Sequence, residues 1–356
     1  MKNTLFSSFV LGAIPLQNRV VMAPMTRNRA IGNVPNDLMA AYYAARAQAG
    51  LIITEGVSPS PNGLGYPRIP GLFNAEQVSG WRRVTSAVHA KGGKIVAQIM
   101  HTGRVGHVES LPAGAKVIGP SPVTVPGEIW TDSHGQQPHT APLEMEESEI
   151  VSAMHEYVHA ARLAIEAGFD GVELHAANGY LIDQFLNTAS NLRTDQWGGS
   201  VQNRIRFAVE VATRVTQAIG GGRVGIRVSP YGVFNGMQPD AEMDALYLEL
   251  IQKLNPLGMA YLHIVDHSSM GAPPVSPSLK AKLRNTFSGA MILSGGYDAE
   301  RAEADLLESK GDLVAFGRPF ISNPNLVEKL QAKLPLTPPD FSTFYTPGEK
   351  GYTDYV

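Results

Sequence analysis

Eight nearly continuous apolar runs, each followed by an amphipathic stretch, constrain this chain more than any single motif does. The runs are "RVVMAP" (19–24), "LIITEG" (51–56), "KIVAQIMH" (94–101), "GVELHA" (171–176), "RVGIRVSP" (223–230), "AYLHIV" (260–265), "AMILSGG" (290–296) and "LVAFGRP" (313–319). They are apolar almost throughout rather than at every second position, which suits strands covered on both faces in a parallel sheet. The stretches at 36–48, 76–91, 147–167, 201–219, 240–254, 277–286, 298–310 and 324–333 keep a helical period. Eight such units predict an α/β fold, a single (β/α)8 TIM barrel spanning 1–356 as one domain. A doubly wound sheet split between two domains is the alternative, but no Ser/Gly/Pro linker divides the chain. The longest irregular stretch, 102–146, is rich in Gly, Pro and His and follows the third strand. A loop of that length predicts a cap over the C-terminal mouth of the barrel.

Composition removes several classes of function. There is no cysteine, which excludes disulfides, thiolate metal sites, iron–sulfur clusters and cysteine nucleophiles. Charge is close to balance, 29 basic residues against 32 acidic, so neither nucleic acid nor an anionic membrane surface is an expected partner. The N-terminal apolar patch is broken by Pro15 and makes a poor signal peptide, and no run is long enough to span a bilayer; a cytoplasmic protein is expected.

The informative positions are the strand ends. Strand one ends in Pro24-Met25-Thr26, strand two in Glu55-Gly56, and strand three presents Gln98 shortly before His101. Strand four delivers His175, with Asn178 and Tyr180 close behind, and strand five carries Arg227. Strand seven ends in Ser294-Gly295-Gly296 and strand eight in Gly317-Arg318. One polar strand end is unremarkable, but seven converge on one mouth. Loops after the last two strands of a barrel often bind phosphate, with glycine admitting the backbone and an arginine gripping the oxygens. The ligand is therefore expected to be phosphorylated, as cofactor or as substrate. Arg227, inside an apolar strand, needs a partner: Glu55, Glu173, or a planar electron-rich cofactor. His101, His175, His263 and His267 also admit a metal reading, weakened by the missing His-x-His on strand one and the few strand-end carboxylates; no metal is expected.

The segments "PMTR" (24–27), "HTGR" (101–104), "HAANGYLIDQFLN" (175–187) and "SNLRTDQWGGSVQNRIRF" (190–207) resemble the Old Yellow Enzyme family of FMN-dependent ene-reductases, and the resemblance covers essentially the whole chain. It implies bound FMN, reduced by NADPH or NADH, which in turn reduces a small-molecule electrophilic alkene such as an enone, maleimide or nitroalkene. It assigns Pro24, Met25, Thr26, Gly56, Gln98 and Arg227 to the flavin ring. Ser294, Gly295, Gly296, Gly317 and Arg318 fall to its phosphate side, and Tyr345 to the ring or pocket. His175 and Asn178 match the pair that holds a substrate oxygen, and Tyr180 the proton donor. Tyr66, Met100 and Met270 match substrate-pocket positions, the methionines standing where some relatives carry aromatics. Many relatives also have His in place of Asn178. A monomer or homodimer is expected. Two rival functions stay open at this point: a flavin-free lyase or isomerase acting on a phosphorylated substrate, and a non-catalytic flavin- or phenol-binding protein.

Overall fold

The apolar runs become eight parallel strands: β1 (Val20–Met22), β2 (Leu51–Val57), β3 (Ile95–Ile99), β4 (Gly171–Ala176), β5 (Val224–Val228), β6 (Tyr261–Val265), β7 (Ala290–Ser294) and β8 (Leu313–Phe316). They pair in chain order, and β8 returns to β1 with Ala315 opposite Val21, so the sheet closes into a barrel. Closure rules out the open doubly wound sheet. The computed structural model describes residues 4–355.

Among the described residues a helix follows each strand around the barrel: α1 (Asp37–Ala44), α2 (Ala75–His89), α3 (Glu147–Glu166), α4 (Val201–Ile219), α5 (Met243–Leu254), α6 (Pro277–Thr286), α7 (Ala299–Leu307) and α8 (Leu326–Gln331). Five begin where a short polar side chain takes up an otherwise unpaired N–H. Asn36, Asn74, Ser200, Ser276 and Asp298 accept from Met39, Gln77, Asn203, Leu279 and Arg301 respectively. Among the described residues no helix is long and apolar enough to cross a membrane.

Side chains along a strand alternate between the helix layer and the barrel interior. Ile52 and Ile95 join the helix-facing core, whereas Ile53 and Val96 join an inner cluster with Val21, Leu51, Tyr261, Ile292, Leu313 and Ala315. The lower end of that cluster is sealed by a hairpin, Phe9–Leu11 paired with Ile14–Leu16, which contributes Leu11, Ile14 and Leu16. In sequence this segment shows only an apolar patch broken by proline. Its strands are three residues long, too short for a periodicity to register.

The stretch 102–146 is less irregular than expected. It contains an antiparallel hairpin, Glu128–Thr131 with Gly135–Pro138, and a short parallel pair, Ile118–Gly119 with Leu143–Glu144. The eighth apolar run also stops early. Strand β8 ends at Phe316, and Arg318 opens a short helix, Arg318–Ser322.

Candidate active site

One pleat above the apolar plug, the inward positions change character. Val96 is followed two residues on by Gln98, Gly225 by Arg227, Tyr261 by His263 and Ile292 by Ser294. On β4 the inward positions are Glu173 and His175. These side chains form a buried relay across the barrel. Gln98 Nε2 donates to Glu173 Oε1 (2.7 Å), and His263 Nδ1 lies 2.8 Å from Glu173 Oε2. His263 Nε2 is 3.2 Å from Ser294 Oγ. Burial holds His263 below its usual pKa, against the pull of Glu173. The neutral ring thus gives its Nδ1–H to the carboxylate and turns Nε2 toward Ser294, whose hydroxyl also lies 3.2 Å from the Ile264 carbonyl and donates to it. The same carboxylate fixes the Gln98 amide with its oxygen turned away, available to a ligand N–H.

Arg227 lies beside His175 in the β4–β5 register. Glu173 is already occupied by Gln98 and His263, and no carboxylate lies within ion-pair distance of Arg227 among the described residues, so the pairing with Glu55 or Glu173 does not form. Its buried Nε has no hydrogen-bond partner in the protein, and neither does the buried Nδ1 of His175. Buried polar atoms without partners are costly. Here two of them sit side by side on neighbouring strands, where a polar ring could partner both. Burial, then the charge of Arg227, keeps His175 well below its ordinary pKa, and it is neutral.

After β4 the chain turns sharply. Asn178 (φ 61°) and Gly179 (φ 75°) both adopt left-handed backbone. The turn is held from below: Asn178 N donates to Ser229 Oγ (2.9 Å), Gly179 N to Asp183 Oδ2 (2.8 Å), and Gln184 Nε2 to the Gly179 carbonyl (2.7 Å). This places Tyr180 edge-on to His175, with ring centroids 4.8 Å apart. The Tyr180 hydroxyl lies 3.1 Å from that of Tyr66. Burial raises the pKa of both phenols, so both keep their protons.

Thr26, Tyr66, Tyr180 and Tyr345 line a cavity of about 850 Å³ together with Ile129, Trp130 and Phe341. Its walls come from three distant segments that Arg68 ties together. Arg68 Nε donates to the Asn28 carbonyl and Nη2 to that of Tyr345, each at 3.0 Å, and Nη1 pairs with Asp132 of the capping hairpin. The loop after the third strand does cover the mouth, through that hairpin. The tail carrying Tyr345 is gripped from beneath. Arg27 donates to the carbonyls of Phe344 and Gly351, and Arg29 to those of Thr343, Phe344, Gly348 and Lys350. Neither Arg29 nor Arg68 stands out in the sequence, and the "PMTR" segment gives no hint of what Arg27 holds, since most of their partners are backbone carbonyls and leave no pattern.

The remaining expected positions divide. Pro24, Met25 and Thr26 follow β1 and are half-buried. Gly56 sits just past a register shift between β2 and β3, and a Cβ there would strike Met100 at 2.4 Å. Met100 itself is 1 % exposed and packs with Leu64 and Ile69 behind Tyr66 and Tyr180, a layer back from the cavity surface. Met270 is 48 % exposed in the loop after β6, and it does not line the cavity. Gly295 (φ 127°) is required by the fold, because a Cβ would fall 2.1 Å from the Asp266 carbonyl. At Gly317 the nearest protein atoms are 3.7 Å or more from such a Cβ, and φ is negative, so packing alone would admit a side chain. An open glycine beside exposed Arg318 leaves a cradle for a ligand. The four histidines do not gather: His101 takes a Gly103 N–H at 3.0 Å, His263 faces Glu173, and His267 Nε2 is 2.7 Å from Asn178 Oδ1.

Comparison with known proteins identifies the class to which this closed parallel barrel and its mouth belong. Residues 4–337 match the model of the NADH:flavin oxidoreductase / NADH oxidase family. A probable flavin mononucleotide-dependent alkene reductase of Leishmania infantum is 41% identical, over 99% of this chain and 97% of its own length. Two solved structures superpose closely: morphinone reductase in complex with tetrahydroNAD (TM-score 0.94, 42% identity, 99% and 97% coverage) and the old yellow enzyme homologue from Zymomonas mobilis (TM-score 0.94, 39% identity, 99% of each chain). The chain belongs to the Old Yellow Enzyme family.

Proposed function

We propose that the protein is an FMN-dependent ene-reductase that uses NADPH or NADH to reduce the activated C=C bond of an enone, maleimide, nitroalkene or related electrophile. The observation that carries this reading is that β4 and the tight turn after it bring together His175, Asn178 and Tyr180, with His175 beside the buried Arg227, whose Nε has no partner in the protein. FMN, when bound, supplies two-electron hydride chemistry at that position. Gln98, Arg227, Thr26 and Gly56 would border its ring, and Gly295, Gly296, Gly317 and Arg318 its phosphate.

The neutral imidazole of His175 and the amide of Asn178 hold the substrate's acceptor oxygen. Two fixed donors withdraw electron density from the conjugated alkene and stabilise the enolate charge that develops as its β-carbon gains hydride. Tyr180 transfers its phenolic proton to the α-carbon, and Tyr66, which reaches the cavity, relays a proton back. The aromatic walls exclude water from the charged stages. We further propose that the whole chain works as one catalytic unit, monomeric or homodimeric, in the cytoplasm.

The purified protein should be yellow with flavin absorption bands. Anaerobic addition of a nicotinamide nucleotide should bleach it, and cyclohexenone should restore the colour. A colourless protein that refuses added FMN would sink the reading in favour of a flavin-free barrel. Bleaching that no alkene reverses would leave a binding protein.

A further inference from the structure

The clamp assigned to Asn178 poses a problem of orientation. An asparagine amide presents an oxygen on one side and NH2 on the other, similar in size and opposite in hydrogen-bonding character. A clamp needs the NH2 toward the mouth, since an oxygen there would repel the substrate's own oxygen. The backbone of Asn178 is pinned: its N–H donates to Ser229 Oγ at 2.9 Å, and its carbonyl accepts from Asn235 Nδ2 at 2.7 Å. Those bonds place the Cβ without choosing between the two amide orientations.

Among the described residues, the amide makes one hydrogen bond, between Oδ1 and His267 Nε2 at 2.7 Å. His267 comes from a different part of the barrel, the loop after β6. Its ring lies against Phe234 from the loop after β5, with centroids 4.7 Å apart. The loop carrying it is anchored as well. Its neighbour Asp266 accepts from the Ser268 N–H at 3.0 Å and from Lys280 Nζ at 2.6 Å. Three consecutive βα loops thus converge on one side chain.

We infer that His267 is a positioning residue: by donating Nε2–H to Asn178 Oδ1, it turns the amide NH2 toward the mouth and makes Asn178 a donor. The inference rests on the proposed clamp. Burial and the nearby charge of Arg227 support it by holding His267 down to about 4, so that near neutral pH the ring carries a single N–H. Placed at Nε2, that hydrogen leaves both amide hydrogens free, one of them for substrate. Placed at Nδ1, it would let the amide flip and would reverse the sign of the clamp.

The test uses the flavin-loaded protein and a phenol, whose binding is read as a long-wavelength charge-transfer band. His267→Leu keeps bulk without a donor, while His267→Gln carries an amide N–H at a similar reach. Each is made alone and together with Asn178→Ala. His267→Leu should raise the phenol Kd about three- to tenfold, the worth of one ordinary hydrogen bond. His267→Gln should stay within about twofold of wild type. In the Asn178→Ala background the Leu substitution should change nothing further. An unchanged Kd in His267→Leu overturns the inference. So does a loss that persists without Asn178, or a Gln variant as weak as Leu, because each marks a packing role. Loss of FMN from both variants overturns it for the same reason. If wild type itself binds no phenol, the clamp reading fails, and the inference falls with it.

Discussion

Two layers of this barrel lie one pleat apart, and they obey different rules. The lower layer, from Val21 to Ala315, is apolar apart from the buried Tyr261 hydroxyl, and is closed beneath by Leu11, Ile14 and Leu16. The upper layer, from Gln98 to Ser294, is polar, threaded by one relay, and it leaves His175 Nδ1 and Arg227 Nε unpartnered. The same strands build both. A pleated strand alternates its side chains whatever their chemistry, so two residues of rise suffice to pass from scaffold to reactive site. The lower layer stores stability, and the upper layer holds open hydrogen-bonding capacity for a ligand.

The largest effect should come from removing one atom in the upper layer. Tyr180→Phe keeps the ring against His175 and deletes the proposed proton donor. The loss in the alkene half-reaction should be about a hundred- to ten-thousandfold. Flavin reduction by the nucleotide should stay near normal in stopped flow, and nitroalkenes should suffer less than cyclohexenone, because a nitronate can collect its proton from water. Equal slowing of both half-reactions would make Tyr180 a positioning residue.

The lower layer should respond the opposite way. Leu11→Ala removes fully buried bulk from the seal and should cost about 2–5 kcal/mol in denaturant unfolding, with phenol affinity unchanged. If phenol binding weakened in step, the two layers would not be separable.

Glu55 tests the boundary between them. It accepts from Tyr43 Oη (3.1 Å) and the Arg27 N–H (3.3 Å), and burial lifts its pKa from 4.5 to about 7. A carboxyl raised in the folded state contributes stability that is fully present below about 4.5 and lost as pH rises through about 7. Glu55→Gln does not titrate. The stability of wild type relative to the variant should therefore fall between pH 4.5 and 8, by at most about 3 kcal/mol. Parallel pH profiles would show that burial does not raise the Glu55 pKa.

The smallest change among these four is expected at the rim. Arg318 is exposed, its guanidinium 5.5 Å from the Phe341 ring. Arg318→Ala should weaken FMN binding about ten- to a hundredfold, the range for a charged phosphate contact. Unchanged retention on gel filtration would remove Arg318 from the phosphate side.

The barrel is legible because parallel strands buried on both faces write themselves as unbroken apolar runs, and His175, Asn178 and Tyr180 because they cluster where such a run ends. Which polar residues partner one another is not legible. Glu173 looks in sequence like a counter-ion for Arg227, but the register hands it to Gln98 and His263, a pairing that spans up to 90 residues and has no local signature. Met100 and Met270 look like one kind of position, yet the first is buried behind the cavity and the second is out in a loop. The sealing hairpin and the capping hairpin escape notice because strands of three and four residues are too short to set a period.

The grip of Arg27 and Arg29 on the tail has a consequence for how the molecule is made. The carbonyls they hold lie 314 to 324 positions further along the chain. During synthesis these two arginines leave the ribosome long before their acceptors do. Folding that proceeds from the N-terminus as the chain emerges can build the strands and their apolar plug before it can finish the rim. The pocket wall bearing Tyr345 is therefore a late product, and a nascent chain stalled short of residue 343 would have most of a barrel and an open mouth.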